Sequence, residues 1–281
     1  MRPPRRTWLF VPGADRKAHE AAAASGADVL IQELEDFTPP ALRPKARALA
    51  ARLYDRWRRA GALAAVRVNP LETCGRADLA AVLAGRPDIV LLSKVDSPAQ
   101  VRALARAAPG VELVPNVESA KGLLRAYGIG RAHPRVTALL VASEDMVADL
   151  GTSRSRGGEE LAYVRQRFLV ECRAAGVEAI DAPYTFSDTR GAEADARWAR
   201  RIGYRMKSVV DPAHAEAVNR VLTPDLARAR RIVAAFEKAR TQGRERARVD
   251  GLLVEVPIYA AARRLLESAW HTPPRKRRTR G

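Results

Sequence analysis

Short apolar runs alternate along most of this chain with longer charged segments that have helical spacing. Apolar runs of this length are typical of strands buried on both faces of a parallel sheet. The runs lie at residues 7–11, 28–34, 64–68, 88–92, 111–117, 136–141, 177–180 and 206–210. Strands that alternate with helices in this way predict an α/β fold, and 281 residues are enough for a (β/α)8 TIM barrel.

A doubly wound open sheet is the alternative architecture. That fold needs fewer strands and usually carries an early glycine-rich phosphate loop, whereas this sequence contains neither G-x-G-x-x-G nor a Walker A motif. We therefore expect residues 1–224 to form a TIM-barrel catalytic domain.

The character of the sequence changes after Thr223-Pro224. Residues 225–246 predict a charged helix with little apolar face, and residues 249–257 predict an extended piece. Residues 258–270 have apolar side chains at helical spacing and predict an amphipathic helix. We expect residues 225–270 to be a C-terminal helical extension that packs either on a neighbouring subunit or on the barrel's own flank.

The chain is strongly basic, with 49 Lys and Arg against 32 Asp and Glu and a net charge of +17. This charge raises the alternative of a basic nucleic-acid-associated protein. Most arginines lie on predicted helix faces, and the densest cluster is in residues 271–281, which we interpret as a disordered, solvated tail. We do not expect nucleic acid as a partner, and a positive field would also favour an anionic substrate.

Nothing in the sequence indicates a membrane protein or an exported one. Its apolar runs are all shorter than the roughly 20 residues that a membrane span needs. The apolar segment near the N-terminus ends after Val11 without an A-x-A site. Cys74 and Cys172 are too few for a disulfide framework and lack metal-ligand spacing. We expect a cytoplasmic protein with free thiols and no membrane partner.

Acidic residues follow two of the predicted strands at their carboxyl ends. Glu118 comes directly after residues 111–117, and Glu144 and Asp145 come just after residues 136–141. Ligands bind at this end of the strands in parallel α/β folds, and two carboxylates are the minimum set for Mg²⁺. The alternative is that these acids merely favour helix starts. Other strand ends supply Glu35, Asp36, Arg67, Lys94, Asp181 and Asp211.

Nine short motifs occur in order between residue 7 and about residue 266. They are L-F-V-P-G (9–13), S-G-A-D-V-L-I-Q-E-L-E-D (25–36), V-R-V-N (66–69), G-R-A-D-L (75–79), L-L-S-K-V (91–95), V-E-S-A-K-G-L-L (117–124), S-E-D-M-V-A-D-L-G (143–151), A-I-D-A-P-Y-T (179–185) and D-G-L-L-V-E-V-P (250–257). Together they resemble the citrate lyase β-subunit branch of the HpcH/HpaI aldolase/citrate lyase superfamily. The resemblance implies a TIM barrel that carries Mg²⁺ and makes or breaks a carbon–carbon bond.

The same resemblance implies roles for single residues. Glu118 and Asp145 are the implied metal ligands, for Mg²⁺ or alternatively Mn²⁺. Arg67 is implied to bind the oxo-acid, and we expect Lys94 to be a second substrate-binding residue. Chemistry agrees, because a bound Mg²⁺ stabilises an enolate and Arg67 can pair bidentately with a carboxylate. From the residues alone, Arg67 would equally suit a structural ion pair.

Three further acidic residues complete the implied catalytic set, which also includes Arg67. Glu35 and Asp36 match the family's acidic pair, which binds metal-coordinated water or orients the site. Glu255 lies in the segment that resembles one reaching into a neighbouring subunit's active site. The resemblance therefore implies a homo-oligomer, as a trimer or a hexamer.

The chain departs from the family pattern around these positions. Two departures keep the charge type of the family residue and lie at acidic positions: Glu33 and Glu255 each stand where the family has Asp. Arg43 stands in place of a Lys, and Phe37 in place of a small residue. Asp211 stands in place of a His, and Leu252 in place of a Lys. We infer that metal and oxo-acid binding persist, while the acyl partner and the use of CoA stay open.

The leading functional prediction is a Mg²⁺-dependent carbon–carbon lyase of retro-aldol or Claisen type. Its substrate would be a β-hydroxyacyl-CoA or a related hydroxy-oxo acid, cleaved through a metal-stabilised enolate. The alternative within the family is a thioesterase or acyl-transfer enzyme that uses the same metal site.

Overall fold

The computed structural model describes residues 5–270, so the basic tail at residues 271–281 lies outside the described part of the chain. The chain divides into two compact units, one formed by Arg5–Leu222 and the other beginning at Thr223. Each unit has its own hydrophobic core.

The larger unit is a closed barrel of eight parallel strands, which confirms the predicted (β/α)8 TIM barrel. Each strand pairs with the next, and β8 closes the barrel on β1, where Lys207 lies opposite Thr7. The strands are β1 (Thr7–Pro12), β2 (Val29–Glu33), β3 (Leu63–Val68), β4 (Ile89–Leu92), β5 (Glu112–Val117), β6 (Ala138–Val141), β7 (Glu178–Asp181) and β8 (Met206–Val209).

Both faces of these strands are buried, which explains why they are continuous apolar runs in the sequence. In β1, Trp8 and Phe10 belong to the core inside the barrel, whereas Leu9 and Val11 pack in the layer under the helices. Successive side chains of a strand point to opposite faces, and because both faces of the barrel wall are covered, most positions of a barrel strand are apolar.

Ten helices accompany the barrel strands in the described part of this unit. They are α1 (Arg16–Ala24), α2 (Arg43–Arg59), α3 (Gly75–Val82), α4 (Pro98–Ala107), α5 (Ala120–Leu123), α6 (Ala126–Gly130), α7 (Glu144–Asp149), α8 (Ala162–Ala175), α9 (Thr189–Ile202) and α10 (Ala215–Leu222). Asp15 caps α1 through hydrogen bonds from the backbone N–H groups of Lys17 and Ala18. Two short helices, α5 and α6, connect β5 to β6.

The loops after β1 and β2 are tied together at the carboxyl end of the barrel. Gly13 N donates to Thr38 Oγ1 at 2.8 Å, and that hydroxyl donates to the backbone oxygen of Glu33 at 2.5 Å. A Cβ at Gly13 would lie 2.4 Å from the same backbone oxygen, so only glycine permits this approach. The two loops therefore have fixed positions relative to each other.

A buried ionic network lies in the helix layer outside β7 and β8. Lys207 Nζ is 2.8 Å from Asp181 Oδ2 and also pairs with Asp195, while Arg165 contacts both carboxylates at 2.6 and 2.7 Å. Burial alone would raise the pKa of Asp195, but Lys207 and Arg165 together lower it to about 2. Two cations and two carboxylates balance, which allows full burial of Lys207.

The smaller unit contains α11 (Leu226–Thr241), a hairpin of β9 (Ala247–Val249) and β10 (Leu252–Val254), and α12 (Val256–Trp270). The expectation that the first helix has little apolar face is wrong, because α11 buries side chains along one stripe. The stripe consists of Ala229, Ile232, Phe236 and Ala239. The Phe236 ring stacks on Tyr259 of α12 at 4.7 Å, so the two helices share a core.

The extended piece predicted at residues 249–257 is shorter in the structure, because α12 already begins at Val256. Asp250 and Gly251 form the hairpin turn, and both have positive φ angles, 49° and 79°. None of the helices within residues 5–270 combines the length and the apolar character that crossing a membrane requires.

Candidate active site

Five neighbouring strands bring charged side chains together at the carboxyl end of the barrel. The predicted residues there come from the β2 loop, β3, the β4 loop, the end of β5 and the start of α7. They are Glu35, Asp36, Arg67, Lys94, Glu118 and Asp145. Their gathering follows from the parallel barrel, in which all strand ends meet at one mouth.

Arg67 lies at the centre of this group and is only 6 % exposed. Its Nε is 2.9 Å from Glu33 Oε1, its Nη2 is 3.2 Å from Glu35 Oε2, and its Nη1 is 3.5 Å from Glu118 Oε1. Burial alone would lower the pKa of Arg67, but these carboxylates raise it above its usual value. Its guanidinium also lies 4.9 Å from the centre of the Phe10 ring.

Glu33 organises the β2 loop, a role that the sequence did not reveal. Its Oε1 accepts hydrogen bonds from Arg67 Nε and from the backbone N–H of Glu35 at 2.6 Å. Its Oε2 accepts one from the backbone N–H of Phe37, also at 2.6 Å. One fully buried carboxylate therefore fixes both the arginine and the loop that carries the acidic pair.

Lys94 and Glu35 form an ion pair beside Arg67, with 2.7 Å between Nζ and Oε1. Burial raises the pKa of Glu35, while its hydrogen bond raises the pKa of Lys94. Lys94 adopts a left-handed backbone conformation with φ of 53°, which is uncommon for a residue other than glycine. Its backbone N–H donates to Glu118 Oε2 at 3.1 Å, so this conformation directs the amide at the predicted metal ligand.

Glu118 is a buried carboxylate in an environment that disfavours its negative charge. Burial raises its pKa to about 8; Arg67 opposes this shift, and the charges of Glu35 and Asp145 reinforce it. Asn116 Nδ2 donates to Oε1 at 3.2 Å. An additional cation at this position would relieve the repulsion between Glu118 and Asp145.

The donor chemistry of Glu118 and Asp145 fits a hard divalent cation. Asp145 is half-buried in the first turn of α7, and both residues offer carboxylate oxygens. Within residues 5–270 no group of three or more His, Cys, Asp and Glu side chains could hold a metal ion. Mg²⁺ commonly takes one or two protein carboxylates and completes its shell with water and substrate, so two ligands suffice.

A cleft opens beside these residues at the mouth of the barrel. Its polar lining includes Asp36, Arg67 and Asp145, and its other walls are Phe10, Phe37, Leu140, Ala142, Ser143, Glu144, Pro183, Thr185 and Val210. The side chain of Glu144 is already engaged, because its Oε1 accepts from Thr185 Oγ1 at 2.8 Å and from Arg154 Nε at 3.2 Å. Asp36 is exposed and lies 3.6 Å from Arg67.

Two strand-end acids do not contribute to this cleft. Asp181 belongs to the ionic network outside the barrel, and Asp211 caps a short turn by accepting from Ala213 N at 2.8 Å. Glu255 belongs to the smaller unit, where it pairs with Arg246 at 3.0 Å. Its contribution to a neighbour's site stays a prediction.

A second, basic cleft of about 570 Å³ lies between the β1 and β2 loops. Arg16, Lys17 and Lys45 supply its positive charge, and the remaining lining residues are Pro12, Ala14, Asp15, Phe37, Thr38, Pro39 and Leu42. Phe37 lines this cleft as well as the one at the barrel mouth.

Comparison with known proteins agrees with this geometry. The model of the HpcH/HpaI aldolase/citrate lyase family matches residues 6–212. The chain belongs to this family. Members of its citrate lyase β-subunit branch are among the proteins most similar to it. The citrate lyase subunit beta of Leuconostoc mesenteroides subsp. cremoris is 29 % identical over 281 residues, covering 94 % of this chain and 93 % of the relative.

Two other relatives bear on chemistry. A (3S)-malyl-CoA thioesterase of Cereibacter sphaeroides is 35 % identical over 272 residues, covering 95 % of each chain. The CitE protein of Mycobacterium tuberculosis was solved in complex with magnesium, acetoacetate and coenzyme A. It is 30 % identical, has a TM-score of 0.79, and the match covers 96 % of this chain and all of that one.

Proposed function

We propose that this family member is a Mg²⁺-dependent carbon–carbon lyase that acts on a β-hydroxyacyl-CoA. The observation that carries the proposal is Arg67, a buried cation that shares the barrel mouth with the carboxylates of Glu118 and Asp145. A fixed guanidinium beside a cation site suits a substrate that carries both a carboxylate and an oxygen that gains charge.

Glu118 and Asp145 would hold the metal, with Mn²⁺ as an alternative to Mg²⁺. When bound, the ion supplies a Lewis acid that stabilises the enolate formed by cleavage. The M. tuberculosis relative that was solved with magnesium supports this assignment.

Arg67 would bind the substrate carboxylate. Its contacts with Asp36 at 3.6 Å and Glu118 at 3.5 Å are longer than its bond to Glu33, so a substrate can replace them while Glu33 keeps the guanidinium in place. Lys94 would add a second positive charge at the edge of the site. Glu35 would orient both cations, since it contacts each of them.

The basic cleft would bind the phosphates of the CoA part. Arg16, Lys17 and Lys45 offer the charge that phosphate groups need, and Phe37 places this cleft next to the site of Arg67. The CitE structure that contains coenzyme A supports CoA as the carrier.

A second candidate, a malyl-CoA thioesterase, is favoured by the identity of 35 % to the C. sphaeroides enzyme. Both reactions begin with the same bound hydroxyacyl-CoA. They differ in the bond that breaks, because the lyase cleaves carbon–carbon and releases an oxo-acid, whereas the thioesterase adds water to the thioester and releases free CoA thiol.

The test is a cleavage assay with malyl-CoA, citramalyl-CoA, citryl-CoA and free hydroxy-oxo acids, in which oxo-acid and thiol are measured separately. Asp145→Asn and Glu118→Gln should abolish the Mg²⁺-dependent reaction. Glu144→Gln is the matched control, because the neighbouring carboxylate is engaged with Thr185 and Arg154 and its loss should leave Mg²⁺ affinity intact.

Each product pattern has a distinct meaning. Oxo-acid release that chelator abolishes supports the lyase, and thiol release without oxo-acid supports the thioesterase. Absence of both products across the panel, or full activity of Asp145→Asn, would contradict the proposal.

A homotrimer or hexamer, in which Glu255 serves a neighbouring site, is part of the same proposal. The test mixes subunits of Glu255→Gln with subunits of Glu118→Gln after dissociation. Activity that returns on mixing supports a contribution between subunits, and activity of Glu255→Gln alone at the wild-type level contradicts it.

A further inference from the structure

We propose that the ring of Phe37 is the wall that limits the size of the acyl group bound at the site. This inference rests on the proposed function, because it assumes that an acyl-CoA spans the two clefts. Phe37 would then be a specificity-determining residue, distinct from the charged groups that bind the metal and the carboxylate.

The location of Phe37 is the first argument. It is the residue that the barrel-mouth cleft and the basic cleft have in common. Its ring meets Phe10 edge to face, with 6.4 Å between centroids and an interplanar angle of 68°. Phe10 in turn lies under the guanidinium of Arg67. A ligand that spans the two clefts towards Arg67 therefore has Phe37 as a neighbour in both.

The rigidity of the backbone is the second argument. The N–H of Phe37 is held by Glu33 Oε2 at 2.6 Å, and the next residue, Thr38, is tied to Gly13 and Glu33. The loop cannot retreat to admit a larger ligand without breaking these hydrogen bonds. Only rotation of the ring itself would make room, and its contact with Phe10 opposes that movement.

The chemistry of the surrounding walls is the third argument. Besides its charged groups, the barrel-mouth cleft is lined by Leu140, Ala142, Pro183 and Val210, so an acyl chain would meet apolar surfaces there. An extra methylene in such a pocket changes specificity by about 10- to 200-fold. Apolar walls by themselves favour longer chains, so a preference for short acyl groups would report the steric limit that the Phe37 ring sets.

The experiment is equilibrium binding by calorimetry of CoA, acetyl-CoA, propionyl-CoA, butyryl-CoA and hexanoyl-CoA to the full chain. Wild type, Phe37→Ala and Phe37→Trp are compared, with Leu42→Ala as matched control. Leu42 lines the basic cleft but not the barrel-mouth cleft. Phe37 is 41 % exposed and Leu42 is similarly exposed, so truncation of either side chain leaves no cavity in the hydrophobic core.

We expect wild type to bind acetyl-CoA at least about tenfold more tightly than hexanoyl-CoA. Phe37→Ala should reduce that ratio to about threefold or less, Phe37→Trp should increase it, and Leu42→Ala should leave it as in wild type. An unchanged ratio in Phe37→Ala, with CoA still bound, would overturn the inference and leave the proposed function standing. An equal effect of Leu42→Ala would also overturn it. Failure of wild type to bind CoA at all would instead overturn the proposed function, and the inference with it.

Discussion

Replacement of Arg67 by Met should destabilise the protein in a pH-dependent way. The substitution leaves Glu33, Glu35 and Glu118 buried without their shared cation. Removal of one partner from a buried ion pair costs about 3–5 kcal/mol. For a domain of this size, 1 kcal/mol corresponds to roughly 2–4 °C in Tm, so the expected loss is about 6–20 °C.

The pH dependence follows from the direction of the pKa shifts. The pKa values of Glu118 and Glu35 are already raised by burial, and Arg67 partly counteracts the rise. Without Arg67 the native-state pKa values of both carboxyls increase further, so the native state favours their protonated forms. The variant therefore loses stability as the pH increases towards these native-state pKa values. The loss in Tm should therefore be larger at pH 9 than at pH 6.

Thermal unfolding followed by circular dichroism at pH 6 and pH 9 measures the effect. Arg67→Lys is the matched control, because it keeps the charge but loses the planar fork, and its loss should be smaller. An equal loss in Tm for Arg67→Met and Arg67→Lys would refute the electrostatic reasoning. A loss in Tm for Arg67→Met that does not change with pH would refute it as well.

Two more predictions concern ionisable groups. Mg²⁺ affinity should increase with pH up to about 8, because Glu118 must lose its proton to bind the ion. Calorimetry in two buffers should detect up to one proton released per bound ion at pH 7. A Mg²⁺ affinity that does not change with pH would contradict this role of Glu118. Lys207→Met should lower the free energy of unfolding by about 3–5 kcal/mol, because it leaves an excess negative charge near Asp181 and Asp195. Addition of Asp195→Asn should recover part of that loss in urea denaturation, and no recovery would show that charge balance does not stabilise the network.

Most of the barrel could be predicted from the sequence because its pattern is local. Each of the eight predicted apolar runs overlaps a strand, and the boundaries differ by at most two residues. The pattern is clear because both faces of every strand are buried, so most strand positions are apolar, and polar residues within them such as Arg67 and Lys207 are buried as well. The gathering of Arg67, Glu118 and Asp145 then follows from topology alone.

Contacts between distant segments could not be read in the same way. Lys207 is the charged residue of β8, which signals a buried partner, but its partners Asp181 and Asp195 lie on β7 and α9, and the contact with Asp195 depends on the helix packing. In α11, Ala229, Ile232 and Phe236 have helical spacing, yet Arg230 and Arg231 between them concealed the stripe. The sequence showed Glu33 only as a replacement of the family's Asp. Its hydrogen bonds with backbone N–H groups could not be predicted, because every residue other than proline offers such a group.

The bond from Glu33 to the backbone of Phe37 has a consequence for how this protein can evolve. Because the bond involves the main chain, it is preserved whichever side chain occupies position 37, except proline, which lacks the N–H. Substitutions there can alter the choice of substrate while the array around Arg67 keeps its geometry. Substitution of Glu33 would disturb the arginine and the loop together. Position 37 is therefore a tolerant site at which new acyl preferences can arise by single mutations, and a saturation library there would retain a high proportion of folded variants.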